Sequence, residues 1–164
     1  MKRTYAVLLI TLISMVTPAF ADDTNSYSLA ESAKLVKHGQ KAVKLAECLV
    51  WASYAGRQAA EIKDFADNFL YESRTFVDAL ENKGLDQTVA SSNLPIIWAL
   101  ILNDWVPSTD FAIGKLWANI STSEYNKLQE PIKDIPYKEQ KSMLKDSALQ
   151  SFNNANCEYL IIHE

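Results

Sequence analysis

Beyond residue 28, apolar residues return at steps of three and four along almost the whole chain. That spacing follows the α-helical turn and leaves little room for a sheet. The clearest run is Ile62, Phe65, Ala66, Phe69, Ser73, Phe76, Val77 and Leu80. Lys63, Asp64, Asp67, Glu72, Arg74 and Asp78 fill the opposite, polar face. Asn82-Lys83-Gly84 reads as the helix stop. An earlier stripe runs through Leu29, Ala33, Val36, Val43, Ala46, Val50 and Ser53. It opens on a capping box, Ser28 with Glu31, and ends near Gly56. Gly39 is expected to bend it.

The rest of the chain continues the pattern. Leu85 to Asn93 is rich in polar residues and is expected to be a loop. Pro95 opens a short helix, Ile96 to Leu102, that is apolar all round and is expected to be buried between the other helices. After Pro107, Ser108 or Thr109 with Asp110 supplies a new helix start. Ile113, Leu116, Trp117, Ile120 and Leu128 face inward from that helix. Gly114 inside it implies a close helix crossing, since glycine there costs about 1 kcal/mol against alanine. Pro131 and Pro136 bound a linker. A last helix from about Tyr137 carries Leu144, Ala148, Phe152 and Ala155 inward. Tyr159 to Ile162 is a short, terminal, strand-like run. The fold class is all-α, an irregular bundle of about five helices.

The first residues follow a different logic. Met1-Lys2-Arg3 is positive, Tyr5 to Val16 is mostly apolar, and Pro18 breaks the run. Ala19-Phe20-Ala21 places small residues where a signal peptidase reads. A membrane span needs about 20 apolar residues, and this run is shorter. A cleavable signal, residues 1–21, is therefore expected, leaving residues 22–164 as one helical domain. No cysteine stands at the cut, which argues against a lipoprotein. The signal has a bacterial style, so the expected location is the periplasm. Loss of Lys2 and Arg3 takes the formal charge from −4 to −6. Such a chain is a poor partner for nucleic acid or anionic lipid. A basic protein fits better.

Export gives meaning to the two cysteines. Cys48 and Cys157 are most simply a disulfide in an oxidising compartment; two free thiols are the rival reading. Closing a loop of this length stabilises by about 4.7 kcal/mol in the chain-entropy account. The disulfide would tie the last helix to the later part of the first.

Chemistry is harder to find. His38 lies beside Lys37 and Lys41, a stretch expected to be solvated, and His163 is penultimate. No metal-binding spacing occurs, and no cofactor is expected. Asp104 and Asp110 could form a carboxylate pair for glycosidic chemistry, but acids beside helix ends are also ordinary caps. The turn from Asn103 to Phe111 holds both acids with Trp105 and Phe111. Trp is enriched at binding hot spots, which makes Asp104, Trp105, Asp110 and Phe111 the candidate binding residues. The plainer alternative folds Trp105 and Phe111 back as lids of the core and gives Asp110 to the helix cap.

Three pieces carry a family likeness. They are Cys48 with Ala52-Ser53-Tyr54-Ala55-Gly56, the run Pro107-Ser108-Thr109-Asp110-Phe111-Ala112-Ile113-Gly114-Lys115-Leu116-Trp117, and Cys157. Together they resemble a group of small exported helical proteins of proteobacteria and their mobile elements. The resemblance implies export, helices and the cysteine pair, and no activity.

Small size, export, acidity and the lack of an active-site signature point to a non-catalytic binding protein. An immunity or inhibitor protein against a toxin or cell-wall hydrolase is the concrete form. A carboxylate-based envelope enzyme and an accessory or structural component of an envelope assembly are the alternatives.

Overall fold

A computed structural model describes residues 25–161 apart from Asn82. The expected signal, Ile162 and His163 lie outside the described residues. Six α-helices occur among the described residues: α1 (Leu29–Ala55), α2 (Ala59–Leu80), α3 (Gln87–Asn93), α4 (Ile96–Leu102), α5 (Thr109–Gln129) and α6 (Tyr137–Asn154). None is long and apolar enough to cross a membrane.

α1 forms as its sequence demands. The Ser28 side chain accepts from the Glu31 amide while Glu31 reaches back to the Ser28 amide, which satisfies orphan donors at the first turn. Gly56 closes the helix in the left-handed region at φ 71°, which glycine enters without steric cost. α1 is the central post of the bundle and packs against α2, α3, α5 and α6. Val36, Ala42, Leu45, Ala46, Leu49 and Ala52 meet Phe65, Phe69 and Phe76 of α2, Trp98 and Ile101 of α4, Leu116 and Ile120 of α5, and Phe152 of α6 in one core. Each large side chain buried there contributes about 1.5–3 kcal/mol.

The Cys48–Cys157 disulfide is present, with Cα atoms 5.7 Å apart. It joins the later part of α1 to a 3₁₀ turn, Cys157–Leu160, just past α6. That turn replaces the strand-like expectation at its described residues. Arg57 reinforces the same corner. It pairs with Glu61 of α2 and Glu158 of the 3₁₀ turn, and its guanidinium lies 4.8 Å from the centre of the Phe152 ring.

Several expectations change. The segment expected as a loop holds α3, because the Asp86 carboxylate accepts from the amides of Thr88 and Val89 and starts a helix. Gly114 is exposed and a Cβ there would meet nothing within 4 Å, so no helix crosses at that point. Gly39 is where the close approach occurs: its Cβ position lies 3.3 Å from the Phe76 ring. Leu29, Ser53 and Ala155 are exposed rather than inward, as they sit at or near helix ends. Glu72, placed on the polar face of α2, is buried because α1 covers it.

Candidate binding surface

The α4 segment was expected to be enclosed on all sides, and it is not. Pro95 precedes it and Asn103 caps its end. One face is anchored firmly. Trp98 is fully buried, tilts against Phe76 at 5.1 Å between ring centres, and donates its indole N–H to the Gly39 carbonyl at 2.9 Å. Ile101 is buried beside it. A helix of two turns can press only one face into a core, so the other stays outside. Ile96 is 77% and Leu100 63% exposed, one turn apart on that outer face.

The turn after α4 carries further exposed aromatic side chains. Trp105 is 81% exposed and Phe111 44%, so the expectation that they fold back as core lids fails, for Trp105 most clearly. Val106 is the residue of this turn that packs against the core. Ser108, not Asp110, caps α5 by accepting from the Phe111 amide at 3.2 Å. Asp110 sits in the first helical turn and accepts from Arg74 at 3.0 Å. Asp104 accepts from Lys115 at 2.6 Å. The two carboxylates thus engage different cations, and both are largely exposed. Thr109 donates toward Asp78 and Glu81, which brings two further acids to this rim. Behind α4, Leu80, Leu85, Leu94, Ala99 and Leu102 line a cavity of about 150 Å³.

Two other polar clusters interrupt the helix packing. Glu72 of α2 is only 4% exposed and sits between two side chains of α1. His38 Nδ1 donates to its Oε2 at 2.5 Å and Lys41 Nζ to its Oε1 at 2.9 Å. Burial alone would raise the Glu72 pKa, but these two hydrogen bonds and charges outweigh it and hold the carboxyl below its usual range. His38 is therefore not the free, solvated side chain that its neighbours suggested. On the other side of α1, half-buried Glu47 has its pKa raised, first by burial and then by the charge of buried Glu124 on α5. Among the described residues no three of His, Cys, Asp and Glu are grouped to hold a metal ion.

Asp104, Trp105, Asp110 and Phe111 share one region, and Ile96 and Leu100 were missed. An apolar run bounded by Pro95 and Asn103 gave no hint of which face stays outside. Lys34, Lys37 and Lys41, spaced by three and four, were the signal for a basic face on α1. The chain matches no family model, no curated protein and no solved structure.

Proposed function

We propose that this chain is a non-catalytic binding protein of the periplasm, an inhibitor or immunity protein that occludes a basic partner protein. The outer face of α4 carries this reading: Ile96 and Leu100 stand in solvent one turn apart, with Trp105 beyond them. Apolar side chains clustered on a surface and rimmed by charge mark interaction sites. The turn after α4 and its partners on α2 and α5 carry more acid than base, with Asp78, Glu81, Asp104 and Asp110 against Arg74 and Lys115. That balance favours a partner with a basic border, whose charges would speed association. The rigid body behind the patch, anchored by Trp98, keeps the cost of ordering it low on binding. The resemblance to small exported proteins agrees with delivery to that compartment.

The test pairs capture with a matched variant. Wild-type chain and Ile96→Asp/Leu100→Asp/Trp105→Ala are each used as bait for periplasmic protein. A partner held by the wild type should bind the triple variant at least about thirtyfold more weakly, the loss of one hot spot of about 2 kcal/mol or more. Circular dichroism of the variant should be unchanged, because these side chains are exposed. Equal capture by both baits would remove α4 as the binding face.

A further inference from the structure

The concavity between α1 and α2 runs against the charge of the molecule. Lys34, Lys37, His38 and Lys41 of α1 and Glu72 of α2 line a space of about 270 Å³. The three lysines recur at steps of three and four, so they rise from one face of the helix. Among the described residues Glu72 is the one acid lining this space, and its two oxygens are already taken by His38 and Lys41. Lys34 and Lys37 form no ion pair with any described residue. Glu72 therefore holds two donors in place against α2 without neutralising the pocket. Its carboxylate is covered, while the Lys41 and His38 side chains remain 44% and 35% exposed. A net positive hollow on a chain of formal charge −4 is a local exception to the acidic surface.

We propose that this concavity is an oxyanion site that takes a phosphate group, carried by free inorganic phosphate or by an anionic lipid headgroup. Phosphate suits it because several separate ammonium groups can share its oxygens, and lysine binds phosphate as a point charge. The site uses α1 and α2 alone. It is separate in its residues from the apolar face of α4, so either can fail without the other.

Titration calorimetry with inorganic phosphate at low salt forms one arm. Co-sedimentation with phosphatidylglycerol vesicles, against phosphatidylcholine vesicles, forms the other. Three proteins are compared: wild type, Lys34→Gln/Lys37→Gln, and Lys138→Gln/Lys141→Gln, which removes the same charge from exposed positions of α6. The site predicts saturable binding in at least one arm, weakened about tenfold by the α1 pair, an effect the size of one lost charge-assisted contact. The α6 pair should leave it unchanged. Binding in the first arm assigns free phosphate, and binding confined to the vesicles assigns the headgroup. Failure to bind in either arm overturns the proposal, and so does equal weakening by both pairs, which would reduce it to overall charge.

Discussion

A methyl group added at Gly39 would lie 3.3 Å from three atoms of the Phe76 ring. That ring is fully buried and held against Trp98, so it has nowhere to retreat. Gly39→Ala should therefore meet about 1–3 kcal/mol of overpacking against about 1 kcal/mol gained in helix propensity, a net loss of up to about 2 kcal/mol. Gly114 faces open space, and Gly114→Ala should stabilise by up to about 1 kcal/mol through helix propensity. Urea unfolding midpoints for the two variants should move in opposite directions; movement in the same direction would show that space is not the deciding factor. The sequence suggested the close crossing at Gly114, whereas the close approach is at Gly39. Glycine announces that a Cβ is absent, not what occupies the place. The Ser28–Glu31 capping box was readable because both partners lie within one turn.

Elements of four or more turns were legible, and of the two short ones α4 was read at its full span while α3 was not. α1, α2, α5 and α6 each repeat their apolar face often enough for the period to show. α3 buries only Val89 and Ala90, too few positions to display a period, and its cap Asp86 was lost among other polar residues. The apolar run of α4 was visible, but periodicity cannot say which side of it a neighbour will cover. Contacts between elements were also hidden, as Glu47 of α1 and Glu124 of α5 illustrate. The raised pKa of Glu47 means that the folded chain holds this proton more tightly than the unfolded chain does. Ionised Glu47 therefore costs stability at neutral pH, and the cost disappears as pH falls through the raised value. Glu47→Gln should be more stable than wild type at neutral pH and lose that advantage below the ordinary carboxylate range. Urea midpoints collected across pH test this, and an advantage that persists in acid would assign the effect to packing instead of charge.

For the whole molecule, the long-range closure was the best-read feature. Two cysteines in a chain with an export-like start pointed to one bond, and Cys48 and Cys157 form it across 109 residues. Reduction should lower stability by about 2–5 kcal/mol, since the open unfolded chain regains its loop entropy. Unfolding in urea with and without reductant measures the difference, and coincident curves would rule out a stabilising role. The charge cluster joining α2, α5 and the turn after α4, and the lysine-lined space between α1 and α2, were beyond reach of a linear reading. Each joins residues more than thirty positions apart, such as Arg74 with Asp110 and His38 with Glu72. Cys157 also has a meaning in time. A ribosome makes it after every helix from α1 to α6, and with two cysteines the chain offers a single intramolecular pairing. A polypeptide stalled or clipped before residue 157 is left with a lone Cys48 thiol and without the bond that holds the end of α6 to α1.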